Sequence, residues 1–122
     1  MASFPDFMKS PANRIASASQ HTPGIEGYVF DGADGNQMAF WECHCDAETA
    51  EHVHPFDEYF IVVEGSYALT LDGKSVVVGA GQECFIAKGT RIAGRAKAGT
   101  RTIHAFGGRR ANRQEWSSPP LR

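Results

Sequence analysis

Apolar and polar positions along this chain alternate mostly with a period of two, and no stretch sustains the 3.6-residue period of an amphipathic helix. Residues 59–63, Tyr-Phe-Ile-Val-Val, are β-branched and aromatic and predict a strand. Tyr67, Leu69 and Leu71 share one face of a second strand over 67–71. Asp72-Gly73 is a two-residue hairpin signal that leads into a partner strand over 75–78. Further strands are predicted over 25–30, 37–45 and 83–87. Residues 91–96 and 100–106 are expected to form a hairpin around Lys97-Ala98-Gly99. Asp31-Gly32-Ala33-Asp34-Gly35-Asn36 joins 25–30 to 37–45 as another hairpin, and the acidic stretch 46–51 is expected to be a loop. The strand over 37–45 carries aromatic residues on both faces, so alternation does not say which face is inside. Short strands with turn signals every eight to twelve residues or so are the pattern of a β-sandwich or barrel.

The ends differ from this middle. Residues 1–24 read as an irregular arm with an apolar start, Phe4 to Met8, and His21 beside a turn is expected to face solvent. Residues 25–108 form the expected barrel, and 109–122 read as a flexible tail in which Trp116 is the one large apolar side chain.

One stretch carries most of the chemistry. His52 and His54 lie one residue apart and so share a face of an extended chain. Pro55-Phe56-Asp57 then breaks the strand, which lets Glu58 return onto the same face from the next strand. With Glu58 inward, Phe60 and Val62 also point inward. Two imidazoles and a carboxylate are ligands for a borderline divalent ion.

The spacing His52, His54, Glu58, Gly65 fits the first motif of the cupins, HxHxxxExxxxxxG, at every position. The second cupin motif would be glycine, five residues, proline, any residue, glycine, two residues, histidine. Gly81 and Gly89 match it, while Ala87 stands at the proline and Ile92 at the histidine. The chain therefore resembles a small single-domain cupin, a monocupin, with a complete first motif and a degraded second one, over roughly residues 37–107. The resemblance implies an all-β fold, the double-stranded β-helix or jelly-roll barrel. It also implies one divalent metal ion (zinc, nickel, iron or manganese) on His52, His54 and Glu58, and a small molecule bound in the barrel. Small cupins commonly pair through edge strands and an exchanged N-terminal arm, which implies a homodimer here.

His104 is a candidate fourth ligand. If the turn after residue 96 is three residues long, His104 opposes Ile92 and shares its face. With a two-residue turn it opposes Ala93 and points away. In that case it is a barrel-wall histidine bonded to a backbone carbonyl. Cys43-His44-Cys45 is not expected to bind metal, because its thiols face opposite to its imidazole, and the cysteines are read as small buried residues. Arg95 and Arg101 could orient an anion, although a solvated exterior is the expected place for both.

Composition narrows the classes. Hydrophobic residues at 42% and charged residues at 21% describe an ordinary globular domain. A net charge of −2 argues against a nucleic-acid partner, and no apolar run approaches the roughly eighteen residues of a membrane span. The N-terminus lacks the basic start and apolar run of a signal peptide, so a cytoplasmic protein with reduced thiols is expected. There is no phosphate loop, Ser-His-Asp arrangement or nucleotide signature. Three functions stay open: a metal-dependent enzyme of the dioxygenase or isomerase type, a non-catalytic small-ligand-binding cupin, and a metal-free scaffold, for which Ile92 is the main reason.

Overall fold

Alternation along each strand decides which side chains meet in the middle of the barrel. The structure is a computed structural model that describes residues 3–20, 22 and 24–114, so His21 and Trp116 lie outside the described residues. Three 3-10 turns (Asp6–Met8, Pro11–Asn13, Ser17–Ser19) lead into nine strands among the described residues. These are β1 (Ile25–Asp31), β2 (Gln37–Cys43), β3 (Ala47–Val53), β4 (Glu58–Glu64), β5 (Ser66–Leu71), β6 (Lys74–Gly79), β7 (Glu83–Ile86), β8 (Arg91–Ala96) and β9 (Arg101–Phe106). They form two antiparallel sheets, in the orders β1-β2-β9-β4-β7 and β3-β8-β5-β6, which close face to face as a jelly roll.

The β5–β6 hairpin turns at Asp72 and Gly73, with φ of 48° and 82°, as a two-residue turn of this handedness requires. Phe60, Val62, Leu69, Val78, Ile86 and Ile92 pack one end of the interior. A second cluster holds Ile15, Val29, Ala39, Trp41, Phe106 and Ala111. Trp41 and Cys43 face the interior of β2. The opposite face is covered by the N-terminal arm, where Phe4 meets Phe40 with ring centroids 4.7 Å apart. From residue 39 to 43, β2 is thus buried on both faces.

Four expectations are corrected. Residues 47–53 form edge strand β3 rather than a loop. Its outward positions Glu48, Ala50, Glu51 and Val53 are exposed, which is why the stretch reads as polar. Strands β8 and β9 are not a hairpin. β8 pairs with β3 and β5, and β9 pairs with β2 and β4. The turn between them is a corner between sheets, held by hydrogen bonds from Gly99 N–H to the Cys43 carbonyl (2.8 Å) and from Cys43 N–H to the Thr100 carbonyl (2.9 Å). Of the two thiols read as buried, Cys43 is buried but Cys45 is exposed, because β2 ends before it.

The fourth correction concerns the segment after β9. Residues 109–114 are docked. Gln37 Oε1 accepts from the N–H groups of Arg110 (2.6 Å) and Ala111 (3.0 Å), while its Nε2 donates to the Ala111 carbonyl (3.0 Å). Ala111 is buried, and Arg113 bridges Ile15 of the N-terminal arm. One buried amide on β2 thereby fastens the segment after β9. Glutamine in a strand gives no sequence cue that it will do this.

Candidate metal centre

Strand β3 carries the two motif histidines, and a β-bulge sets their direction. The register runs Ala47↔Ala96 and Thr49↔Gly94, then shifts between Thr49 and His52, so that His52 stands opposite Ile92. Without the extra residue His52 would follow the outward parity of Glu48 and Ala50. The bulge turns His52 and His54 toward the interior. His52 Nδ1 donates to the carbonyl of Ala50, inside the bulge, at 2.8 Å. In the neutral ring this leaves the lone pair on Nε2. Burial lowers the His52 pKa below its ordinary value and so favours that neutral form.

The loop after β3 is clasped from two sides. Gly89 N–H donates to the His54 carbonyl (2.9 Å), and Lys88 N–H donates to Asp57 Oδ1 (2.9 Å). Gly107 N–H donates to the Asp57 carbonyl (2.8 Å). Phe56 stacks on the His54 ring with centroids 4.9 Å apart. Glu58 then enters β4 facing inward, in phase with Phe60 and Val62. The motif glycine, Gly65, has a φ of 84°, and a Cβ there would collide with the side chain and Cα of Thr100, so only glycine fits.

His52, His54, Glu58, Ile92 and His104 line one cavity of about 70 Å³, together with Arg110 and the apolar walls Trp41, Phe60, Tyr67 and Phe106. At roughly 10–15 Å³ per water this is room for about five to seven waters or one small molecule. His104 faces inward because it is registered with Ala39 and Phe60, inward positions of β2 and β4. Its Nδ1 lies 2.7 Å from Glu58 Oε2 and its Nε2 lies 2.8 Å from Thr102 Oγ1, so both ring nitrogens are engaged. His54 Nε2 lies 3.7 Å from the other oxygen, Glu58 Oε1. Burial alone would raise the Glu58 pKa. The hydrogen bond from His104 and the electrostatic pull of His104, His54 and Arg110 outweigh it and hold the carboxyl below its ordinary range. Burial also pushes the Cys43 thiol up to about 11, with Cys45 adding to the effect, so this cavity-lining sulfur stays protonated.

Two imidazoles and one anionic carboxylate on a shared cavity are right in kind for a divalent ion. Their ligating atoms do not all lie within 4.8 Å of one another. Among the described residues, the set of three that meets this distance is Glu26, Glu42 and His44, on the outer face of β1 and β2. Protein donors already fill that outer set. Glu42 takes the Ser3 hydroxyl (2.9 Å), the Phe4 N–H (3.0 Å) and the Lys9 ammonium (2.6 Å). Glu26 takes the Tyr28 hydroxyl (2.6 Å) and His44 (2.7 Å). Glu42 thereby fastens the N-terminal arm to the barrel. Arg95 is exposed, and Arg101 pairs with Glu64 at 3.0 Å beneath Phe4, so neither reaches the cavity. Arg110 does reach it. Its sequence neighbourhood reads as a tail, and nothing in Gly-Gly-Arg-Arg marks it out.

The sequence of residues 40–102, more than half of the chain, matches the family model described as the cupin domain. The chain is a cupin. Its fold is similar to that of an RmlC-like cupin from Shewanella frigidimarina, with a TM-score of 0.67 at 19% identity, over 85% of this chain and 86% of that one. KdgF from Halomonas sp. is similar at a TM-score of 0.60 and 17% identity, over 75% of this cupin and 89% of that chain. The salicylate 1,2-dioxygenase from Pseudaminobacter salicylatoxidans matches at a TM-score of 0.64 and 16% identity, over 69% of this cupin but 26% of the enzyme. Comparison with curated proteins returned no match. No helix among the described residues is long and apolar enough to cross a membrane.

Proposed function

We propose that this cupin binds one divalent ion through His52, His54 and Glu58 and holds a small molecule beside it. The observation that supports this reading is the bulge in β3. It turns both motif histidines onto the cavity that Glu58 enters from β4, and the Ala50 carbonyl fixes one imidazole with Nε2 as the ligating nitrogen. His104, expected as a candidate fourth ligand, is here a positioning residue: its hydrogen bond holds one oxygen of Glu58 and keeps the carboxylate ionised. Ile92 takes the place of the second-motif histidine and contributes no donor atom. A bound ion would supply Lewis acidity and open coordination positions for a chelating ligand. Such a centre suits an enzyme of the dioxygenase or isomerase type, and a related fold, salicylate 1,2-dioxygenase, has been solved in complex with gentisate.

The second reading, a small-ligand-binding cupin without turnover, is favoured by the three-donor shell that Ile92 leaves. We also place the protein in the cytoplasm, in keeping with its free cysteines. Metal analysis of protein purified without added metal, and after loading with zinc, nickel, iron and manganese in turn, tests the centre. No uptake at neutral pH would refute the metal centre and leave a metal-free cupin, either a ligand-binding module or a scaffold. Dioxygen uptake against catechols, and turnover of small sugars and 1,2-diketones, separates the enzyme from the binding module.

We propose a homodimer formed through the outer face of the five-stranded sheet. The register places Phe30, Met38, Ala105, Tyr59 and Phe85 in one row across all five strands. Phe85 and Met38 are each 54% exposed and Tyr59 46%. The row leaves on the order of 400 Å² of mostly apolar surface open, about half of what one partner buries in a standard interface. Ile61 and Val63 continue it. The N-terminal arm, expected to be exchanged, packs against its own β1 and β2. Light scattering should give twice the 13.3 kDa of one chain, and Phe85→Asp should return the monomer. A monomeric wild type at micromolar concentration would refute the dimer.

A further inference from the structure

Three arginines stand close together after β9, and they have different fates. Arg109 and Arg113 turn outward and pair with Asp31, at 4.0 and 2.7 Å. Arg110 turns inward and lines the cavity with His52, His54 and Glu58. Its main chain is fixed by Gln37 Oε1 at 2.6 Å, and its guanidinium lies over the rings of Trp41 (5.4 Å) and Phe106 (6.0 Å). Nη1 donates to the Ser19 carbonyl at 2.6 Å. Among the described residues no carboxylate lies within 4.0 Å of it. No buried side-chain nitrogen or oxygen among them lacks a hydrogen bond, so its remaining donors, Nε and Nη2, open onto accessible space. Burial works against its charge, and the Glu58 carboxylate only partly restores it. A guanidinium keeps its proton regardless.

A half-buried cation, rigidly held and without an ion-pair partner among the described residues, is costly unless something else uses it. Glu58, the cavity's carboxylate, is already bound to His104. With a divalent ion in place, the ion and Arg110 together outweigh that single negative charge. The planar fork matches a carboxylate, and the flanking walls, Trp41, Phe60 and Phe106, are apolar. We infer that Arg110 is the anion-binding residue of this cavity, and that the small molecule taken there is a carboxylic acid with an apolar body. The acid class deepens the proposed function and rests on that reading for the role of the metal, but the anion site itself does not need the metal.

The test uses the full chain and two probes of one shape, benzoate and its uncharged amide, benzamide. Each is titrated by calorimetry into chelator-treated and into zinc-loaded protein. Benzoate is expected to bind about tenfold tighter than benzamide or better in both forms, as a charge-assisted fork implies. Arg110→Gln should erase that preference while leaving zinc content unchanged. Equal affinity for the two probes in wild-type protein, or a Gln variant that keeps the preference, overturns the inference. Should the variant fail to fold, the Arg110 Nε–H resonance of the wild type decides: it must shift with benzoate and not with benzamide, and an unmoved signal overturns the inference. A wild type that takes up no zinc yet prefers benzoate refutes the metal centre and leaves the anion site standing. Zinc uptake without any benzoate preference does the reverse.

Discussion

Replacing Ile92 with histidine would restore the second cupin motif, and the structure says what this should cost and return. Ile92 is 4% exposed, packs with Phe60, Val62 and Ile86, and stands opposite His52 in the β3–β8 register. Losing its apolar burial costs about 1.5–3 kcal/mol. Burying an imidazole short of partners adds about 1–3 kcal/mol, part of which its own packing offsets. In chelator the variant should therefore be destabilised by roughly 3 kcal/mol, a drop of about 10–15 °C in Tm. Opposed strand residues have Cβ atoms about 4.5–5.5 Å apart, close enough for both ring nitrogens to reach one ion at about 2.0–2.1 Å. A further direct ligand should tighten zinc by at least the hundredfold or so that losing a supporting group costs. At about 1.4 kcal/mol per factor of ten, zinc then returns about 3 kcal/mol more to the variant than to the wild type. Thermal denaturation of both proteins in chelator and in excess zinc measures the difference. A Tm deficit that persists unchanged in zinc would refute the shared cavity position of residues 52 and 92 as a ligand pair.

His54→Ala should abolish metal uptake, whereas His104→Ala should weaken it about 10–100-fold without abolishing it, because His104 acts through Glu58. Equilibrium zinc titration separates the two, and an unchanged affinity in His104→Ala would remove it from the centre. A chain ended at residue 108 should lose about 2–4 kcal/mol relative to one ended at residue 114. It exposes the cluster around Ala111 and leaves the buried Gln37 amide short of partners; equal melting temperatures would contradict the docked segment. Acid should release the N-terminal arm. Burial alone would raise the Glu42 pKa, but Lys9, the Phe4 N–H and Ser3 outweigh it and hold the carboxyl below its ordinary 4.5. A depressed folded pKa means that this stabilisation is present above pH 4.5 and is lost as pH falls below it. Glu42→Gln should flatten that limb of the Tm–pH curve, and an unaltered curve would show that Glu42 does not hold the arm.

Much of the fold was legible in the sequence because period-two alternation and turn residues act locally. Tyr59 to Val63, the Asp72-Gly73 hairpin and the inward set of Glu58, Phe60 and Val62 need nothing beyond their neighbours. The first-motif spacing similarly brought His52, His54 and Glu58 forward as one group. Strand pairing did not follow from local pattern, since a sheet-to-sheet corner and a hairpin use the same turn residues. The strands carrying Ile92 and His104 were joined in expectation and lie in different sheets in fact. His104 still faces the cavity, through its register with Ala39 and Phe60. The bulge that aims His52 is a mismatch between two strands and has no signature in either one. Arg110 enters the cavity because Gln37, seventy-three residues earlier, grips its backbone. Sequence by itself determined most of the segments that extend, β3 excepted, and which side chains could ligate. Which of them share a cavity, and with what charge beside them, was decided by contacts between residues far apart in the chain.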